Sequence, residues 1–457
     1  MSSYDIVIKN GRVINPENNL DSIINIGIKN NTISAISSKD LQGSTIIDAS
    51  NKIVSPGFID IHGHLDGNFP FAKLSLLQGI TTSVGGNCGI SPVDLKEFFN
   101  AQQNIGFPIN QAELVGHSFS LRNQVGITNP YIAAEDKQFL EMQKLAAKAF
   151  EAGAMGLSFG LEYAPGTSFK EVIALSKIAA DYGGIIPIHT NLKGPKDLES
   201  LKEAIKISEI TGAAVQISHF VYQYGIGIMT EALEIVDKAR NQGLNISVDS
   251  GMYTAFSTGI GTTVYDEISI KNFGWKFENL LVASGKYTGE RLTAQLYKEL
   301  RATAKGTSII CYTGVEAEIY EALLKDYVMV STDAGPSNTG LTKDCHPQNS
   351  STFPRFFNKM VTEQKSLALS KAVEKCTLLP AKALGLKNKG RISVGADADI
   401  VIFDIASFKD NGEFPGLGAP DAKPTGMHYA IVNGKIAVEN GNINEAVKAG
   451  SVIKFNT

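Results

Sequence analysis

Tryptophan occurs once and cysteine four times in these 457 residues, and no apolar run approaches the ~20 residues that a membrane-spanning helix needs. Cys88, Cys311, Cys345 and Cys376 are scattered, without the C-x-x-C spacing of zinc knuckles or redox motifs. Reduced thiols in a cytoplasm are therefore expected, not a disulfide framework. Basic residues are not in excess: 42 Lys and Arg stand against 46 Asp and Glu, a formal net charge of −4, so no basic footprint for nucleic acid is expected. Nor is there a polybasic stretch or long block of one charge to suggest a membrane surface or an interaction tail. Met1-Ser2-Ser3-Tyr4-Asp5 has no basic region followed by an apolar run, so no secretory leader is expected. What is present, 43% apolar and 19% charged residues, suits a well-packed soluble enzyme with one large domain and a smaller one.

The ends and the middle of the chain differ in pattern. Near the start, Asp5-Ile6-Val7-Ile8-Lys9 and Arg12-Val13-Ile14 flank Asn10-Gly11, which predicts a hairpin. Ala430-Ile431-Val432, Asn433-Gly434 and Lys435-Ile436-Ala437-Val438 repeat the pattern near the end, after the apolar run Ala398 to Asp404. The two ends are expected to pair as one small β-domain, 1–54 plus 387–457. Between them, 55–386 reads as strand, polar or glycine-rich loop, then helix, eight times over. Helices are expected at 139–152, 168–182, 197–211 and 230–241, and an insertion within about 255–307. That repeat predicts an α/β fold, a (β/α)8 TIM barrel, in preference to an open sheet with a ninth strand at 308–312.

The chemistry is concentrated at predicted strand ends. His62, His64, His117, His189 and His219 all lie there, and in such a barrel the C-terminal strand ends converge on one face. His62-Gly63-His64 places two imidazoles on one face of an extended strand, with Gly63 removing a side chain beside an ion. Asp333, after Val328 to Thr332, suits a metal ligand that also moves protons, or else a helix cap. Cys88 in Gly85-Gly86-Asn87-Cys88-Gly89 is a candidate thiolate ligand or an inert buried thiol. His117 reads equally as a substrate contact or a structural residue, and Arg122 as a carboxylate clamp or an ordinary ion pair. Glu162 reads better as a partner of a ligand than as a ligand.

Taken in order, these residues resemble the amidohydrolase superfamily and, within it, the N-acyl-D-amino-acid deacylase (D-aminoacylase) family. The resemblance runs through Ser55 to His64, Gly86-Asn87-Cys88-Gly89-Ile90-Ser91, Val115-Gly116-His117, Gly156 to Gly166, Ile217-Ser218-His219, Ser331-Thr332-Asp333-Ala334, Pro380 to Leu386 and Gly395-Ala396-Asp397-Ala398-Asp399. It implies a β-sandwich built from both ends and a barrel with Zn2+ at its mouth. Cys88, His189 and His219 would hold a tight ion; His62, His64 and Asp333 would line a second, weaker position. The implied reaction is attack of a metal-bound hydroxide on an amide carbonyl, with Asp333 as general base and then acid.

The departures bear on the substrate. Where that family continues with basic residues, this chain has Asn191 after His189-Thr190, Phe220-Val221 after His219, and Gln348 after His346-Pro347. With Tyr253 and Arg122 matching, the expected substrate contacts are His117, Arg122, Tyr253, Asn191 and Gln348. The partner is a small-molecule amide: an N-acyl-D-amino acid, or a relative without the usual carboxylate. Alternatives are a cyclic amidase of the hydantoinase or dihydroorotase type, for which no strand-four lysine is evident, and a non-catalytic metal or small-molecule binding protein. Self-association is left open.

Overall fold

The computed structural model describes residues 4–455; Met1-Ser2-Ser3, part of the N-terminal stretch read above for a leader, lie outside the described residues. Eight strand positions succeed one another between Phe58 and Val330, each paired in parallel with its chain neighbour. They are Phe58–Asp60, Ile80–Gly85, an interrupted third (Asn110–Glu113, then Val115–Gly116), Leu157–Gly160, Ile186–His189, Val215–Ile217, Ile246–Ser250 and Val328–Val330. The break at Leu114 divides them into a three-stranded and a six-stranded sheet. Beyond the last strand the chain returns to the first: Asp333 N donates to His62 O at 2.8 Å and His64 N to Ala334 O at 2.7 Å. The hydrogen-bonded ladder is thus two sheets meeting at their margins, with the histidine strand and the Asp333 strand side by side.

Local sequence accounts for these elements. Every residue of Ile186–His189 is buried, as expected of a parallel strand covered on both faces. The helix Asp136–Ala152 buries Met142, Ala146 and Phe150, one stripe at four-residue spacing. Phe169–Tyr182 begins where the Ser168 hydroxyl accepts from Glu171 N at 3.2 Å and ends at Gly183, whose φ of 75° suits a residue without Cβ.

The two ends share a core, but not through the expected pair of hairpins. Tyr4–Lys9 lies between Asn25–Lys29 and Gly43–Asp48 in a four-stranded sheet, whereas Arg12–Asn15 joins a seven-stranded sheet. Asn10-Gly11 therefore crosses from one sheet to the other, and a Cβ on Gly11 would lie 2.4 Å from Val54 Cγ2. The later Asn433-Gly434 does turn a hairpin, joining Met427–Val432 to Lys435–Glu439. Ile6, Ile8, Ile26 and Ile28 of the first sheet pack with Val13, Val54, Ile400 and Ile402 of the second.

Residues 255–312 form an antiparallel sheet of their own, Ala255–Gly259 and Leu280–Val282 both pairing with Ser308–Tyr312, over a separate core that includes Tyr265, Leu296 and Ile309. The strand at 308–312 is thus not a ninth strand of the parallel layer.

Asp399 ties the end sheets to the parallel strands. Its Oδ2 accepts from Asn110 Nδ2 at 2.9 Å and from Lys389 Nζ at 2.6 Å, and its Oδ1 from Asn433 N at 2.7 Å. Lys389 also meets Asp397 at 2.9 Å, and both Lys389 and Asp399 are buried. Removing one member of such a cluster leaves an uncompensated buried charge, so Lys389→Met is expected to destabilise the fold by about 3–5 kcal/mol, measured by denaturant unfolding.

Candidate metal centre

The loop after the second strand makes a single turn, Asn87–Gly89, with Cys88 in the left-handed region at φ 51°. Asn87 Nδ2 fixes it by donating to Val84 O at 3.0 Å and Gly63 O at 3.3 Å, while Gly89 N donates to Ser158 Oγ at 3.0 Å. A Cβ on Gly160 would lie 2.1 Å from Cys88 O, so the fourth strand can approach this turn only through a glycine. Gly63 also stands close to its neighbours. A Cβ there would meet Ser83 Oγ at 2.7 Å, so the glycine clears the neighbouring strand.

Cys88 Sγ lies 3.3 Å from His62 Nε2 and 3.4 Å from His219 Nε2. On one side, Asp333 Oδ1 stands 3.1 Å from His64 Nε2 and 3.4 Å from His62 Nε2. On the other, His219 Nε2 and His189 Nδ1 face each other at 2.8 Å. The result is two donor sets, His62, His64, Cys88 and Asp333, and Cys88, His189 and His219, the donor atoms of each set lying within 4.8 Å of one another. Cys88 is common to both. Two nitrogen lone pairs cannot face each other at 2.8 Å unless a proton or cation lies between them. One sulfur with several imidazoles and a carboxylate is a donor set that suits zinc, so these residues fit a metal ion.

Further groups orient these side chains. Asp249, at the end of the seventh strand, is fully buried. Its Oδ2 lies 3.4 Å from His62 Nδ1 and accepts from Gln216 Nε2 at 2.6 Å; its Oδ1 accepts from His219 N at 2.9 Å and Ser331 Oγ at 2.6 Å. A proton held on His62 Nδ1 leaves Nε2 free to bind a metal. Glu162 Oε2, 2.8 Å from His189 Nε2, does the same for His189 Nδ1. Asp60 secures the Asp333 strand by accepting from Thr332 N at 3.0 Å and Thr332 Oγ1 at 2.5 Å. Both Asp60 and Asp249 are acids at strand ends in the sequence, which was the available signal.

Protonation follows from this packing. Burial pushes the Cys88 thiol up, but the charges of His62 and His219 outweigh it and hold the group well below its ordinary value. Burial lowers His64, yet Asp333 and Cys88 raise it to about 10; against the same penalty, Cys88 and Glu162 raise His189 to about 9.

A cavity of about 450 Å³ opens over the cluster, lined by His64, Cys88, His189, His219 and Asp333 below and by residues of 256–264 and 306–308 from the insertion above. Of the expected substrate contacts, Gln348 lines it, donating from Nε2 to Asp333 O at 2.6 Å and accepting from Tyr222 Oη at 2.8 Å. His117 and Arg122 do not. Both are turned onto Glu171, at 2.8 and 2.9 Å, in a buried ion-pair cluster below the surface. Tyr253 also lies outside the lining, its ring edge-on to His346 at 4.9 Å, and Asn191 is half-buried beyond it. His346 is a buried lining residue that burial holds neutral, at about 3.

The model of the Amidohydrolase family matches residues 53–437. The chain is 30% identical to an N-acyl-D-glutamate deacylase of Alcaligenes xylosoxydans xylosoxydans, over 94% of this chain and 93% of that one. A D-aminoacylase structure with a binuclear metal centre superposes with a TM-score of 0.87 at 26% identity, covering 99% of this chain and 100% of that chain. The N-acyl-D-glutamate deacylase of Bordetella bronchiseptica, solved with zinc and a phosphonate mimic of the tetrahedral intermediate, gives 0.86 at 26% identity, with 99% of each chain covered.

Metal uptake should depend on pH with a definite sign. Below about 9 an ion must displace protons from His189 and His64, whereas above that range less is displaced. Zinc affinity of metal-free protein is therefore expected to rise as pH is raised from neutrality, with proton release visible by calorimetry in buffers of different ionisation enthalpy. Affinity independent of pH would contradict this protonation scheme.

Proposed function

Because the chain belongs to the amidohydrolase family, we propose that it is a zinc-dependent hydrolase of linear N-acyl amides, an N-acyl-D-amino-acid deacylase or close relative with altered substrate preference. The observation that carries this reading is the position of Cys88, whose sulfur belongs to both donor sets at the floor of the cavity. A thiol there fills the place between the two metal positions without any modified lysine, which sets the reading apart from a cyclic amidase. In the same reading, Cys88, His189 and His219 hold the tighter ion and His62, His64 and Asp333 line the weaker site. The parallel strands close as one eight-stranded barrel over 55–386, and 1–54 with 387–457 form a β-sandwich.

A bound divalent ion supplies Lewis acidity and makes water a better nucleophile at neutral pH. The chain's own residues do the remaining work. Asp333 Oδ1, held between His62 and His64, takes the proton from the attacking water and returns it to the departing amine nitrogen. Its carbonyl accepts from Gln348 Nε2, and the peptide N–H of Asp333 donates to His62 O, so the residue cannot swing away between the two transfers. Asp249 and Glu162 keep His62 and His189 in the tautomers that present their free nitrogens to the centre. The cavity is partly roofed by the insertion, which limits bulk water around the reacting bond.

Asp333→Asn keeps the shape and removes the proton carrier. Turnover of an N-acyl amide is expected to fall by about 10²–10⁴, while elemental analysis still finds zinc on the Cys88, His189 and His219 set. Wild-type protein that takes up no metal and binds amides without cleaving them would sink this reading.

A further inference from the structure

Above the imidazoles of the floor, the cavity wall is short of fixed positive charge. Among the described residues that line it there is no lysine or arginine, and its carboxylates are Asp66, Glu162 and Asp333. Much of the wall above the cluster is neutral and hydrogen-bonding: Ser257, Thr258 and Ser308 from the insertion, Asn338 from the loop after the last strand, and Gln348 with Tyr222. The guanidiniums nearby are committed elsewhere. Arg122 is held by Glu171 at 2.9 Å, and Arg355 by Asp410 at 3.0 Å. Arg122 and Lys305 border an adjoining cavity that shares Tyr163 and Thr258 as a wall. An N-acyl-D-glutamate offers two carboxylates on its amine half. Placed against this upper wall, they would meet neutral groups and lose hydration without a lysine or arginine to pair with.

We propose that the substrate's amine half bears a neutral hydrogen-bonding group, a carboxamide or hydroxyl, in place of a carboxylate. This rests on the deacylase reading above and narrows its substrate class. Gln348 is the residue of the wall best placed to read such a group. It sits beside Asp333, and its amide is pinned in orientation by the Tyr222 hydroxyl and the Asp333 carbonyl. A site built from neutral donors and acceptors discriminates against a ligand that brings an unpaired charge.

The test compares matched compounds on the zinc-loaded full chain: N-acetyl-D-alanine, N-acetyl-D-alaninamide and N-acetyl-D-alaninol, with their L forms. Amine release gives kcat/KM on the wild type, and calorimetry on Asp333→Asn gives affinity without turnover. The neutral compounds are expected to exceed the free acid by roughly tenfold or more in both measurements. Gln348→Arg is expected to shift the ratio toward the acid. Should that variant fail to fold, the wild-type ratio carries the test. Equal values for acid and amide, or preference for the acid, overturn the proposal. Discrimination in binding with no amine release from any compound leaves this inference standing and overturns the deacylase reading instead.

Discussion

A thiol, several imidazoles and three carboxylates gathered within hydrogen-bond distance at the floor of a cavity form an arrangement that desolvation opposes. It persists because the opposite charges are interleaved, with Cys88 between His62 and His219, Asp333 between His62 and His64, and Glu162 against His189. Remove the thiol and the imidazoles repel; remove the carboxylates and the imidazolium charges lose their support. The strand ends must then be registered closely enough to hold these distances. This gives the hydrogen bonds of Asp60 to Thr332, of Asp249 to Ser331 and His219, and of Asn87 to three backbone carbonyls a common purpose. Backbone strain is concentrated in the same place. Cys88, His219 and Asp333 all have positive φ, at 51°, 34° and 53°, which tight surroundings must impose on residues with a Cβ.

Some of this was legible in the chain. Each candidate donor sits at or just past the end of a strand-forming run, and the run and the strand follow from local pattern. Helix positions were legible for the same reason, since Ser168, Gly183 and a buried stripe are encoded within one turn of the helix they shape. What could not be read depends on partners far along the chain. Asp249 looks like any acid at a strand end until the fold brings His62, 187 residues away, to its side. Arg122 and His117 looked available to substrate because nothing local announces that Glu171 will occupy both. Asn10-Gly11 and Asn433-Gly434 are the same dipeptide between similar strands, yet only the second closes a hairpin. The difference lies in the neighbours, because Tyr4–Lys9 already has a strand on either edge.

The cavity has a floor and a roof of different origin. The floor consists of strand ends whose positions are fixed by one another, so little there can change without disturbing the whole cluster. Much of the roof comes from 255–312, a sheet that pairs only with itself and rests on its own apolar core. Evolution can therefore work on Ser257, Thr258 or Ser308 much as it would on a separate binding module. A lineage could move from one acylated amine to another by editing the roof alone, while inheriting the chemistry of the floor intact.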